Sequence, residues 1–250
     1  VGASVVLLGS QGYRDRSVIR NFWKIVEQFK ATSFGGVPTL YSSLLQIPLQ
    51  GEDISSLKHV RCGAAPMPVE VFKNFEAHTR IKIIEGYGLT EGTCSSTGNP
   101  PYGERRIGSV GLRYPYQEVK IVHLDETGKY IRDCASDEIG HVVMRCPQVI
   151  PGYLHKAHNQ NLWVADGWLN TGDLGRQDAD GYLWITGRAK DIIIRGGHNI
   201  DPAVIEAVLY THESVALAAA VGKPDAYAGE IPVAYVQIKP GASVSEDELL

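Results

Sequence analysis

Apolar residues in the first ninety positions alternate between two spacings. Short apolar runs at Val5–Leu8, Ser33–Phe34, His59–Cys62 and Ile81–Ile84 are bounded by Gly, Pro or polar residues and predict strands. Between them, Ile19, Phe22, Ile25, Val26 and Phe29 recur at helical spacing, as do Leu40, Tyr41, Leu44 and Leu45, then Val69, Phe72 and Phe75. Strand alternating with helix predicts an α/β fold with a mostly parallel sheet covered on both faces. Such sheets bind ligands beyond the carboxyl ends of their strands.

After Glu91 the pattern changes. Positions 92–103 are rich in Gly, Ser, Thr and Pro and carry no helical period. Alternating runs at Glu118–Leu124, Ile139–Arg145 and Tyr182–Thr186 predict antiparallel strands with one solvated face. Near Lys190 a third texture begins. Asp191–Arg195 predicts a strand and Gly196-Gly197 a turn. Asp201-Pro202 predicts an N-cap and first-turn proline for a helix bearing Val204, Ile205, Val208 and Leu209. Val215–Val221 and Ile231–Ile238 follow as strands. The expected organisation is a large domain over 1–189, including a β-rich subdomain over about 93–189, and a small α+β domain over 190–250. Ser245-Glu246-Asp247-Glu248 has the form of a capping box. A helix announced that close to Leu250, with Val rather than Met at position 1, leads to the expectation that both domains are truncated and the chain is a piece of a longer one.

Composition narrows the classes. The 250 residues are 44% hydrophobic and 21% charged, which excludes disorder. A net charge of −4 without a Lys/Arg run gives no reason to expect a nucleic-acid partner. No apolar run approaches the length of a transmembrane segment, and no basic segment precedes the apolar start. Cys62, Cys94, Cys134 and Cys146 contain no Cys-x-x-Cys pair, so a disulfide framework or structural-zinc domain is not expected. Buried reduced thiols are the expectation, consistent with a cytoplasmic location.

The densest candidate chemistry is Glu85-Gly-Tyr-Gly-Leu-Thr-Glu-Gly92, after the strand at Ile81–Ile84. Gly86, Gly88 and Gly92 superficially resemble a dinucleotide-binding turn, but that turn must open a helix. The following Thr-Cys-Ser-Ser-Thr-Gly-Asn-Pro-Pro cannot sustain one. Side-chain chemistry is the alternative: Tyr87 against a base, Thr90 on a phosphate, Glu91 on a hard cation. Thr127-Gly128-Lys129 lacks the rest of a phosphate-binding loop and reads as a hairpin tip. His155 and His158 have no third ligand nearby and read as a surface turn. Asp173, after Thr171-Gly172, is either an Asx-turn or a carboxylate accepting from two vicinal hydroxyls. Arg188 is either a fixed cation or half of an interdomain ion pair.

Taken together, Gly35-Gly-Val-Pro-Thr-Leu40, Gly63-Ala-Ala-Pro66, Gly86-Tyr-Gly-Leu-Thr-Glu91, Gly140 through Tyr153, Trp168 through Asp173, Gly187 through Pro202 and Gly229-Glu-Ile-Pro232 resemble the AMP-forming acyl-CoA synthetases of the adenylate-forming superfamily. The resemblance extends over nearly the whole chain. It implies an acid–thiol ligase using ATP, Mg²⁺ and coenzyme A, with a fatty acid as the expected substrate. An aryl-CoA ligase or a peptide-synthetase adenylation domain is the near alternative, and a non-catalytic nucleotide-binding or interaction domain the distant one. It implies that Ala64, Ala65 and Pro66 pack along adenine, with Gly86 and Tyr87 on its other side. Thr90 would touch the α-phosphate, Glu91 would hold Mg²⁺, and Asp173 would bind the ribose with help from Arg188. Gly88 would line the acyl pocket, Lys190 would be the interdomain hinge, and Gly196 and Gly197 would face the pantetheine channel. For Lys190, a solvated lysine at a strand boundary is the plain alternative. The family's phosphate loop, acyl-pocket gate and adenylating lysine have no counterpart here, so these residues alone are expected to be inactive.

Overall fold

A computed structural model describes residues 2–165 and 167–249. They form a mixed α/β structure in two compact units, Val1–Ile84 and Glu85–Leu250.

The first unit contains helices α1 (Arg16–Arg20), α2 (Phe22–Phe29), α3 (Pro38–Leu44) and α4 (Val69–Thr79), strands β1 (Gly35–Gly36) and β2 (His59–Cys62), and the start of β3 (Lys82–Tyr87). The single helix expected over 19–29 is two, because Asn21 leaves helical geometry and separates α1 from α2. Asp15 caps α1 by accepting from the Ser17 amide at 2.7 Å. β1 and β2 pair in parallel, Gly35 opposite Arg61. The core is aromatic. Trp23, Tyr41 and Phe75 are almost wholly buried, with the Tyr41 and Phe75 rings edge-on at 5.0 Å. Two expectations shift. Val5–Leu8 is irregular, with Val5 77% and Leu7 86% exposed, because no described residue pairs with it. The strand expected at Ser33–Phe34 falls two residues later, at the glycines.

The second unit holds the rest of β3, then β4 (Thr97–Gly98), β5 (Leu112–Arg113), β6 (Glu118–Leu124), β7 (Tyr130–Asp133), β8 (Gly140–Arg145), β9 (Leu169–Gln177) and β10 (Leu183–Arg188). β4 pairs antiparallel with both β3 and β5. The other five form an antiparallel sheet in the order β10-β9-β8-β6-β7. Val119, Ile121, Val142, Met144, Leu169 and Leu183 build its core, and Tyr87 and Leu89 pack against it. The expected hairpin tip is present: Asp125 accepts from the amides of Thr127 and Lys129 at 2.8 and 2.9 Å. At the β9–β10 turn, Asp178 accepts from the Asp180 and Tyr182 amides, and the Arg106 guanidinium pairs with Asp178 and, at 2.6 Å, with Asp180.

β11 (Ile193–Arg195) and β12 (His198–Ile200) form a hairpin closed by Gly196 and Gly197, both with positive φ, as a tight two-residue turn requires. Helix α5 (Pro202–Leu209) packs on β13 (Val215–Asp225), which pairs antiparallel with β14 (Gly229–Ile238), and β14 joins β11. Helix α6 (Glu246–Leu249) begins as expected, with the Ser245 amide donating to Glu248 at 2.8 Å.

Asp201 caps α5 through the Ala203 amide at 2.9 Å, yet burial raises its carboxyl pKa. A raised folded-state pKa means this group favours the fold below the unfolded carboxyl range and loses that contribution as pH rises through the folded value. Asp201→Asn keeps a capping oxygen and removes the half-buried charge. The variant should therefore match or exceed the natural protein in stability at neutral pH, and the difference should disappear on acidification through the carboxyl range. Asp201→Ala should instead lose about 1 kcal/mol. Urea unfolding of all three at acid and neutral pH checks the sign, and an Asn variant less stable than the natural protein at neutral pH would refute it.

Candidate functional site

Asp173 lies in the interior of β9, so the turn expected at Thr171-Gly172-Asp173 is not there. Glycine, asparagine and aspartate had obscured a central strand. Gly172, at φ +74°, keeps the strand going through an irregularity that a residue with a Cβ would resist. Asp173 is 5% exposed, and its direct cross-strand partner on β10 is Arg188. Arg188 Nε donates to Asp173 Oδ1 at 2.8 Å. The guanidinium thus pairs within the β-rich sheet, and the alternative of an interdomain ion pair falls away. Tyr87, at the end of β3, donates its hydroxyl to Asp173 Oδ2 at 2.5 Å. Burial first, and then the Asp173 carboxylate, push the Tyr87 hydroxyl well above the usual phenol range, so it stays a donor at any working pH. The bond to Asp173 raises the Arg188 pKa and keeps that group charged. An ionised carboxylate has about four lone-pair sites. Each oxygen here uses one on the protein and keeps capacity for a ligand hydroxyl.

Thr90 and Glu91 stand on the 3₁₀ turn Thr90–Gly92 that follows β3, Thr90 exposed and Glu91 half-buried. The turn is tied to the segment after β8. The Ile150 amide donates to the Glu91 carbonyl at 2.9 Å, and Thr93 Oγ1 donates to the Gln148 carbonyl at 2.8 Å. The Tyr153 hydroxyl donates to Glu91 Oε1, and that bond raises the tyrosine's own pKa. Glu91 is therefore an oriented hard-oxygen donor, suited to a cation that binds through one carboxylate and substrate phosphates.

Gly88 has a reason for being glycine within the fold. A Cβ there would lie 1.6 Å from the Cys94 carbonyl oxygen and 2.7 Å from the Ser95 Cα. The chain folds back over it, the Ser96 amide donating to the Tyr87 carbonyl at 2.8 Å. Ala64, Ala65 and Pro66 form an exposed loop after β2 in the first unit, with Ala64 at φ +70°. Lys190 is exposed in the turn after β10, where the Ala189 amide donates to the Gly172 carbonyl at 3.0 Å. His155 and His158 are exposed around a 3₁₀ turn, as a surface reading requires. The cysteines are free, but only Cys62 is buried; Cys94 is exposed and the other two are partly covered. Sequence reasoning gave no role to Tyr153 or Thr171. Tyr153 had a signal in Gly152-Tyr153, where the glycine stands at φ +148°. Thr171, which holds the Asp173 amide at 3.1 Å, had none.

The sequence profile described as AMP-binding enzyme matches residues 1–154, and that of the AMP-binding enzyme C-terminal domain matches residues 204–250. The chain belongs to the AMP-binding enzyme family. It is 52% identical over 248 residues to a marinolic acid–CoA ligase of Pseudoalteromonas sp. (strain SANK 73390), covering 99% of this chain and 38% of that protein. With a long-chain-fatty-acid–CoA ligase of Bacillus subtilis (strain 168) it shares 41% over 227 residues, 90% of this chain and 40% of the relative. The crystal structure of the anthranilate CoA ligase AuaEII with anthranoyl-AMP superposes with a TM-score of 0.86 at 32% identity, over 100% of this chain and 46% of that one. The chain thus spans about two fifths of the length of the curated relatives it matches. Among the described residues no helix is long and apolar enough to cross a membrane.

Proposed function

We propose that the protein carrying this chain is an ATP-dependent acid–CoA ligase. A carboxylic acid and ATP give an acyl-AMP and pyrophosphate, and the thiol of coenzyme A then displaces AMP to give the thioester. The observation that carries this reading is Asp173, fixed between Arg188 and Tyr87 with acceptor capacity left on both oxygens, as a ribose diol requires. Thr90 would donate to the α-phosphate. Glu91, braced by Tyr153, would hold Mg²⁺, which offsets the repulsion between carboxylate and phosphate anions. Ala64, Ala65 and Pro66 are proposed adenine contacts, as are Gly86 and Tyr87, and Gly88 would border the acyl group.

The proposed domains are 1–189 and 190–250, a division supported by the separate C-terminal profile at 204–250. Lys190 is the proposed hinge and Gly196-Gly197 the turn presented to the pantetheine arm. Two dissimilar half-reactions at one centre favour such a hinged exchange of contacts. A fatty acid is the proposed substrate, supported by the 41% identity to a ligase named for long-chain fatty acids. An aromatic acid is the second reading, supported by the superposition on the anthranilate ligase. A cytoplasmic location belongs to the same proposal, supported by four free cysteines.

In the test, AMP is titrated calorimetrically into the 250-residue chain. Separately, the protein carrying it is supplied with ATP, Mg²⁺, CoA and fatty or aromatic acids. Saturable AMP binding, with acid-dependent AMP release and thioester in the second assay, is the expected result. The 250 residues alone should form no thioester at a useful rate. AMP binding without acid-dependent turnover in the protein would replace the ligase reading with that of a nucleotide-binding domain.

A further inference from the structure

Apart from the nucleotide region, three side chains with metal-ligand chemistry converge on the β6–β7 hairpin. His123 lies near the end of β6, and Cys134 follows β7, its amide donating to the Ile121 carbonyl at 2.9 Å. Glu138 lies in the loop before β8. One imidazole nitrogen, the thiol sulfur and one carboxylate oxygen of these residues all lie within 4.8 Å of one another. His123 Nε2 is already 2.8 Å from Glu138 Oε1. Beneath the sulfur lies Gly140, where a Cβ would come within 2.6 Å of Cys134 Sγ. Glycine at that position therefore leaves the space the sulfur occupies.

We propose that His123, Cys134 and Glu138 form a binding site for a zinc ion, with three protein ligands and a fourth position open to solvent. Nitrogen, sulfur and carboxylate oxygen are the donors zinc takes, and a thiolate with a carboxylate balances its charge. Binding releases the thiol proton to solvent and separates the His123–Glu138 contact so that each ligates the ion. Both carboxylate oxygens are held from behind, Oε2 by the Ala135 amide at 2.7 Å and Arg132 Nη1 at 2.9 Å, and Oε1 by Arg132 Nη2 at 2.6 Å. Oε1 would share a lone pair with the guanidinium while it ligates the ion. Such outer contacts orient a ligand and tune its affinity. The His123 and Glu138 side chains are 37% and 31% exposed, so an ion can enter without unfolding the hairpin. Bound zinc would staple the end of the hairpin to the loop that leads into β8.

The metal alone is the probe. The metal-free chain is titrated with Co²⁺, whose bond to a thiolate gives a charge-transfer absorption in the near ultraviolet, and then with Zn²⁺. One equivalent should produce the band and Zn²⁺ should bleach it. Cys134→Ser should abolish the band, while Cys94→Ser, which changes an exposed cysteine outside the cluster, should keep it. His123→Gln should weaken Co²⁺ binding at least as much as the ~10–100-fold that losing an outer contact costs. Zn²⁺ should raise the thermal midpoint of the natural chain and leave that of Cys134→Ser unchanged. No band in the natural chain, or a band that survives Cys134→Ser, would overturn the proposal and leave the cluster as an ion-pair network of Arg132, Glu138 and His123.

Discussion

Gly88→Ala is expected to cost about 4 kcal/mol or more of stability, the range in which single substitutions are exceptional. The added methyl would meet the Cys94 carbonyl oxygen at 1.6 Å and the Ser95 backbone at 2.7 Å. Neither is the end of a side chain that can swing away, so the crossing of the 94–96 segment over Gly88 would have to open. That crossing carries the Ser96–Tyr87 backbone bond, so the Tyr87 ring would lose its support as well. Two further glycines set the scale. A Cβ at Gly86 would lie 2.8 Å from the Thr97 carbonyl oxygen, a smaller intrusion. At Gly172 it would meet nothing within 4 Å and strain only the backbone, at about 1–2 kcal/mol. Denaturant unfolding should therefore rank the alanine variants Gly172, Gly86, Gly88 from mildest to most severe. A Gly88 variant as stable as the Gly172 variant would refute the clash.

The second large effect is expected at Asp173. Its carboxylate is held by one charged and one neutral donor, and it is the group proposed to receive the ribose hydroxyls. Hydrogen bonds to a charged group contribute roughly 1.5–3 kcal/mol. Asp173→Ala should therefore weaken AMP binding by about 10- to 150-fold. Because the partner is the ribose and not the reacting phosphate, the loss should fall mainly on the ATP KM and kcat/KM. Asp173→Asn keeps the shape and one acceptor, so it separates nucleotide loss from unfolding. Circular dichroism confirms the fold of each variant. An unchanged AMP affinity in the folded Ala variant would remove Asp173 from the site.

Much of this was legible in the sequence. His59–Cys62 and Glu118–Leu124 coincide with β2 and β6, because their alternation is not interrupted by glycine. Asp201-Pro202 marked the start of α5, and Gly196-Gly197 the hairpin before it. What escaped shares a cause. β9 reads Leu-Asn-Thr-Gly-Asp-Leu-Gly-Arg-Gln, residues of low strand propensity that tertiary pairing on both sides holds extended. The Tyr87–Asp173 bond joins positions 86 apart in the chain, and no spacing rule anticipates such a contact. The His123–Cys134–Glu138 cluster was missed for a related reason. Its ligands meet across a hairpin and a loop, whereas a search for Cys-x-x-Cys sees only ligands adjacent in sequence.

Arg188 meets Asp173 as its cross-strand partner because the β9–β10 pairing shifts register by one residue between Ile185 and Gly187. Side chains alternate between faces along a strand, so a slip of β10 by one residue would put a neighbour of Arg188 opposite Asp173 and turn the guanidinium away from the carboxylate. The turn that closes β9 and β10 is pinned by Asp178 and by Arg106, whose guanidinium also lies over the Tyr182 ring at 4.2 Å. The hairpin therefore behaves as a measuring stick: the number of residues between Asp173 and Arg188 is as much a part of the site's specification as their identities. A laboratory library that recombines these strands must hold that length fixed, and can then vary the solvent-facing residues along it without moving the carboxylate.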